Sequence, residues 1–113
     1  MHELSYVQGM IEHIEQTLRN EKFNRVTLVH MKIGRSSGIE PSCIDFCFES
    51  AGMGTVVEGA KLKIEVIPCK IFCRNCRKEF FINHFSHICP ECLHSEIEIV
   101  SGQEIELTHL EVE

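Results

Sequence analysis

Four cysteines in the second half of the chain form two pairs with the spacing of metal-binding turns. Two residues separate Cys73 from Cys76 and Cys89 from Cys92, and twelve residues lie between the pairs. Two thiolates at this spacing lie on one tight turn and can bind the same ion, and two such turns complete a tetrahedral four-sulfur site. The spacing therefore predicts one structural Zn²⁺, because a closed four-thiolate site has no open position for catalysis.

The amino terminus is a second group of potential metal donors. It begins with Met1, His2 and Glu3, so the α-amine, the first backbone amides and an imidazole are only a few bonds apart. Once deprotonated, these nitrogens can form fused chelate rings around Ni²⁺ or Cu²⁺, in a nitrogen-rich, near-planar arrangement. On the residues alone the pattern is weak, and a chance surface histidine is the better explanation.

Iron competes with zinc at the cysteine pairs, because four-sulfur sites also hold the iron of rubredoxin-like electron carriers. The glycine that usually follows the second cysteine of each turn is replaced by Arg77 and Leu93, which weakens the rubredoxin analogy without removing it. His84, His87 and His94 lie inside or beside the segment. The sequence leaves open whether one of them replaces a thiolate when pH or nickel changes.

The composition indicates a small acidic protein of one domain, or of one domain with an insertion. The chain has 113 residues and a net charge of −6, which disfavours nucleic acid as a partner because phosphate binding depends on clustered Lys and Arg. It contains neither an apolar run of the ~18 residues that span a membrane nor a secretory signal. We therefore expect a cytoplasmic protein, whose seven cysteines are ligands or buried thiols rather than disulfides.

Hydrophobic periodicity predicts two helices and two strands before the cysteine segment. Apolar residues at spacings of three and four favour a helix from Leu4 to about Asn20. A second helix is bounded by Pro41 at its first position and Gly52 just past its end. Residues 25–34 are typical of a central strand that is apolar on both faces, and residues 61–68 alternate like a strand with one buried face.

The segment after the cysteine pairs alternates again. From Glu96 to the end of the chain, apolar and charged residues alternate, and Gly102 is expected at a bulge or bend. The simplest layout is helix, strand, helix, strand, a small inserted module, and one long returning strand.

The motifs together resemble the HypA/HybF family of hydrogenase nickel-insertion accessory proteins. They are the Met-His-Glu start, the pattern IG…G…F.FE…GT..EGA over residues 33–60, the two Cys-x-x-Cys pairs, and the closing SG.E of residues 101–104. The similarity covers essentially the whole chain, in order and at matching spacing.

The resemblance implies a nickel metallochaperone with a structural zinc site, and not an enzyme. In that family nickel binds at the amino terminus, so the resemblance assigns Met1, His2 and Glu3 as donors. Some members place an acidic residue near nickel where Glu40 stands in this chain. The resemblance also implies that the four cysteines of the zinc module are structural.

The fold that the resemblance implies is α/β, of the α+β type. A small nickel domain, residues 1–68 and 96–113, has a three-stranded, mainly antiparallel sheet flanked by two helices. A zinc-ribbon-like module, residues 69–95, is inserted before the last strand.

The resemblance also implies partners. The chain has no P-loop pattern, so a nucleotide-driven step must lie in another protein. The resemblance names the HypB GTPase as that partner and the large subunit of nickel-iron hydrogenase as recipient. It leaves open whether urease is also served, whether the chain forms a homodimer, and the affinity and geometry of nickel binding.

Two other classes of function stay open at this point. One is a zinc-ribbon module for protein interaction, without nickel transfer. The other is a rubredoxin-like iron electron carrier. An enzyme is disfavoured, because the sequence shows neither a nucleophile-base pairing nor an open metal site.

Overall fold

The computed structural model describes residues 3–82 and 88–113. In those ranges the chain forms two helices, α1 (Glu3–Thr17) and α2 (Pro41–Ala51). It also forms six strands: β1 (Val26–Gly34), β2 (Lys61–Ile67), β3 (Cys69–Cys73), β4 (Lys78–Ile82), β5 (Ile97–Ser101) and β6 (Ile105–Val112). Among the described residues, neither helix is long and apolar enough to cross a membrane.

The first sheet has the strand order β2-β1-β6. β1 pairs in parallel with β2 and antiparallel with β6. The parallel pairing follows from the chain order, because α2 lies between β1 and β2 and carries the chain back to the end of the sheet where β1 began. The predicted fold class is confirmed: two helices accompany two three-stranded sheets, and three of the four strand pairings are antiparallel.

One hydrophobic core lies between the helices and the first sheet. Val29, Met31 and Ile33 of β1 are fully buried and form one cluster with residues of both helices. The predicted apolar stripe of α1 is confirmed at Val7, Ile11 and Ile14. At the start of the helix it fails, because Leu4 is 43% exposed.

The predicted ends of α2 are confirmed. Pro41 is in the first turn, where its missing N–H costs no helical hydrogen bond. Gly52 ends the helix, and its N–H donates to the Phe48 carbonyl oxygen at 2.9 Å. Glu40 caps the beginning: its carboxylate accepts a hydrogen bond from the Ser42 backbone N–H at 3.3 Å.

The segment from Glu96 onward is two strands and not the one long strand predicted. β5 joins the second sheet, which has the order β4-β3-β5, and β6 joins the first. Alternation continues on both sides of Gly102, so the pattern does not reveal that the chain changes sheets there. Strand pairing places β5 in one sheet with β3 and β4. The division of the chain into a nickel domain (residues 1–68 and 96–113) and an inserted zinc module (residues 69–95) stays a prediction.

The two sheets meet where the backbones of Gly34 and Gly102 cross. A Cβ atom on Gly34 would lie 2.2 Å from the Gly102 carbonyl carbon, and a Cβ on Gly102 would lie 2.6 Å from the Cα of Cys69. Gly102 has φ +104°, which side chains rarely tolerate. Its carbonyl oxygen accepts hydrogen bonds from the Ser36 backbone N–H at 2.7 Å and the Ser36 hydroxyl at 3.0 Å.

We predict that Gly102→Ala destabilises the protein by about 2 kcal/mol or more, because the new methyl group meets backbone atoms and the φ value is strained. Urea unfolding followed by circular dichroism measures the change. Gly9→Ala is the matched control. A Cβ there meets nothing within 4 Å, and alanine in an exposed helix stabilises by about 0.5–1 kcal/mol. Equal effects of the two substitutions would contradict the role of the crossing.

Candidate metal centres

The four predicted cysteine ligands converge in the structure. Their sulfur atoms all lie within 4.8 Å of one another; Cys73 Sγ is 3.5 Å from Cys92 Sγ, and Cys76 Sγ is 3.8 Å from Cys89 Sγ. A tetrahedral Zn²⁺ with Zn–S bonds of about 2.3 Å requires sulfur-sulfur separations of about 3.8 Å. The group therefore matches the size of a four-thiolate zinc site.

Two turns of the same geometry present the sulfur atoms. In the first, the Arg77 N–H donates to the Cys73 carbonyl oxygen at 2.8 Å; in the second, the Leu93 N–H donates to the Cys89 carbonyl oxygen at 3.0 Å. Arg77 and Leu93 have φ values of 57° and 61°. Both turns thus use the left-handed conformation that glycine favours, although each carries a larger residue at a cost of roughly 1–2 kcal/mol.

Amide groups point at the sulfur atoms and favour their ionised form. Cys89 Sγ accepts from the backbone N–H groups of Glu91 at 3.4 Å and Cys92 at 3.5 Å. The Asn75 side-chain amide donates to Cys92 Sγ at 3.5 Å. Sequence reasoning missed Asn75, and its place inside the first Cys-x-x-Cys turn was the available signal.

The pKa values of two thiols in this group, Cys76 and Cys92, shift in opposite directions. The hydrogen bond from Asn75, followed by one from the His94 backbone, lowers the pKa of Cys92 to about 6. Desolvation, followed by hydrogen bonds with two neighbouring thiols, raises the pKa of Cys76 to about 12. A metal that binds all four sulfurs must therefore expel protons, so its affinity falls as pH falls.

The other candidate ligands of this region are not part of the group. The His94 side chain is exposed, and the converging set among the described residues contains only the four cysteines. Cys69 is buried at the beginning of β3, where it contacts the crossing through its Cα. His84 and His87 lie outside the described residues.

A separate contact between two acidic residues joins the start of α1 to the start of α2. Glu3 is the first residue of α1 and is buried, with 7% of its surface exposed. Its Oε2 atom accepts a hydrogen bond from the Glu40 backbone N–H at 3.1 Å. The predicted donors Met1 and His2 lie outside the described residues. The structure thus brings together two of the four residues assigned to nickel, through a contact that sequence reasoning missed.

Comparison with known proteins gives a consistent result. The sequence profile described as "Hydrogenase/urease nickel incorporation, metallochaperone, hypA" matches residues 1–112. Hydrogenase maturation factor HypA of Desulfitobacterium hafniense is 42% identical over 113 residues, covering 100% of this chain and 99% of the relative. The HypA of Geobacter metallireducens is 39% identical over 113 residues, with 100% of both chains covered.

Two solved structures share the fold. The solution structure of a HypA protein matches with a TM-score of 0.71 and 26% identity, over 99% of this chain and 96% of that one. The solution structure of the Ni metallochaperone HypA from Helicobacter pylori matches with a TM-score of 0.66 and 25% identity, over 99% and 97%. The chain therefore belongs to the HypA family of hydrogenase and urease nickel-incorporation metallochaperones, and it is a maturation factor rather than an enzyme.

Proposed function

We propose that this chain binds Ni²⁺ at its amino terminus and delivers it to the large subunit of nickel-iron hydrogenase in the cytoplasm. The family match, which includes the first residue, carries the proposal. A GTPase of the HypB kind supplies the nucleotide-driven step, because this chain has no P-loop. Urease is a second recipient, which the family description favours by naming it.

The proposed nickel donors are the α-amine of Met1, the amide and imidazole nitrogens of His2, and the backbone amide of Glu3. The Glu3 carboxylate accepts a hydrogen bond from the Glu40 N–H, so we assign it a positioning role: it fixes the first turn of α1 against α2. The same contact brings the backbone of Glu40 beside Glu3, and we retain Glu40 as the proposed acidic group near the ion. Because amine, amide and imidazole must lose protons to bind, acidification releases nickel.

One Zn²⁺ on Cys73, Cys76, Cys89 and Cys92 is the proposed resident metal. The size of the sulfur group and the amide hydrogen bonds to it support this assignment. Four protein ligands close the coordination shell, so the ion stabilises the second sheet and takes no part in nickel exchange. Under this proposal the zinc module is a folding unit, and a zinc-free chain loses the second sheet while it keeps the first.

We predict that untagged protein binds one nickel ion tightly, whereas His2→Ala and a chain with an amino-terminal extension lose this tight binding. The substitution removes the imidazole, and the extension converts the α-amine into an amide. Isothermal titration with Ni²⁺, beside elemental analysis for zinc, measures both metals; zinc content serves as the control and stays unchanged in all three. Equal nickel binding by the three proteins would exclude the terminal site.

The Glu3 side chain gives a separate test of the positioning role. Glu3→Ala should weaken nickel binding without abolishing it and destabilise the protein by about 1.5–3 kcal/mol, because a charged hydrogen-bond acceptor is lost. Glu3→Gln keeps an acceptor oxygen and should retain most of the affinity. Nickel titration and thermal unfolding distinguish the roles. Complete loss of nickel in both variants would instead identify the carboxylate as a ligand.

For zinc, we predict that Cys73→Ser loses the ion and the second sheet, since its sulfur is fully buried in the group. Cys43→Ser is the matched control, because Cys43 is exposed on α2. Zinc content and the amide spectrum of β3, β4 and β5 report the outcome. Retention of zinc by Cys73→Ser, or its loss from Cys43→Ser, would refute the assignment.

A further inference from the structure

Two histidines face each other on the side of the first sheet that is opposite the helices. His30 of β1 and His109 of β6 are register partners. Their rings stack with centroids 4.8 Å apart and an angle of 10° between the planes. Glu111 follows two residues after His109, and its Oε2 atom is 3.9 Å from His109 Nε2. Two imidazoles and a carboxylate thus share one small area of the surface.

A bulge in β6 creates this arrangement. Met31 pairs with Leu107, and the preceding residue His30 pairs with His109. Thr108, between Leu107 and His109, therefore has no register partner in β1. Such a bulge re-aims the side chains around it. Here it places the Thr108 hydroxyl group against His30 while His109 keeps its position beside the same ring.

The hydrogen bonds of Thr108 determine which nitrogen of His30 can bind a metal. The Thr108 hydroxyl donates its one hydrogen to the His30 carbonyl oxygen at 2.9 Å. Thr108 Oγ1 is also hydrogen-bonded to His30 Nδ1, and in that bond Nδ1 must be the donor because the hydroxyl hydrogen is already used. The neutral imidazole then carries its lone pair on Nε2. Fixing the tautomer through the second ring nitrogen is the usual arrangement around metal-binding histidines.

We propose that His30 and His109, assisted by Glu111, bind one divalent transition-metal ion of the zinc and nickel class. Imidazole and carboxylate together suit such ions. This site is separate from the four cysteines and from the chain terminus. It binds metal in the full-length, zinc-loaded protein, independently of nickel at the amino terminus.

Binding requires the side chains to rotate. Among the described residues only the cysteine group already converges on one point, so the stacked rings must turn to bring two nitrogens to about 2 Å from one ion. The His109 and Glu111 side chains are 53% and 62% exposed, and their rotation displaces no core atoms. Lys63 is the β2 register partner of His30, and its positive charge opposes the ion. We therefore expect an exchangeable ion, bound more weakly than zinc on thiolates.

The test adds a second equivalent of Zn²⁺ to full-length protein that already carries one zinc. An amino-terminal extension blocks chelation at the chain terminus. Equilibrium dialysis measures the second zinc, and nitrogen-15 NMR of the imidazoles identifies the residues that bind it. We expect the signals of His30 and His109 to shift, and the second zinc to be lost in His30→Gln and in His109→Gln.

Two further variants make the result decisive. His13→Gln, on the exposed face of α1, should bind the second zinc like the parent. Thr108→Val should bind it about tenfold more weakly, because His30 loses the partner that holds its tautomer. The proposal is overturned if no second zinc binds, if the His30 and His109 signals do not move, or if all variants bind it equally.

Discussion

The crossing of Gly34 and Gly102 is the constraint on which the arrangement of both sheets depends. β1 ends at Gly34, and the link from β5 to β6 passes so close that a Cβ on Gly34 would lie 2.2 Å from the Gly102 carbonyl carbon. That link carries the chain out of the sheet that presents Cys73 and into the sheet that supports α1. A side chain at either position would push the sheets apart, so the contact requires glycine for reasons of space.

Hydrogen bonds connect this crossing to the loop after β1 and to the start of α1. The Gly34 N–H donates to the Glu104 carbonyl oxygen at 2.6 Å, and the Arg35 N–H donates to that of Ile67 at 2.8 Å. The short loop after β1 is thereby fixed to the ends of β2 and β6. It leads directly to Glu40, whose N–H binds the Glu3 carboxylate. One loop therefore contacts both the Gly102 link between the sheets and the start of α1.

Local patterns predicted the parts of this structure that local chemistry determines. Cysteine spacing identified the four sulfurs, and Pro41 and Gly52 marked α2, because turns and helix ends depend on neighbouring residues. The sequence predicted a bulge or bend at Gly102, but not that the chain moves from one sheet to the other there. That change depends on which distant strands β5 and β6 pair with, and apolar and charged residues alternate in the same way on both sides of Gly102. The contact from Glu3 to Glu40 joins residues 37 positions apart and matches no periodic pattern. β1 was expected to be apolar on both faces, yet His30 lies on its outer face.

The distribution of buried residues supports the proposed division between a resident zinc and a transferred nickel ion. The first sheet, its helices and Val57 of the segment after α2 share a core of eleven buried apolar residues, so the proposed nickel ion is not needed for this part of the molecule to fold. In the second sheet the buried residues of β3 are Cys69, Ile71 and Cys73, and two of these three are cysteines. Three strands of five residues with so little buried apolar surface are below the size at which a hydrophobic core suffices, and a bound metal is the usual substitute. Under the proposed assignment, loss of zinc would cost the second sheet its folding energy, whereas the proposed transfer of nickel would leave the first sheet and its helices folded.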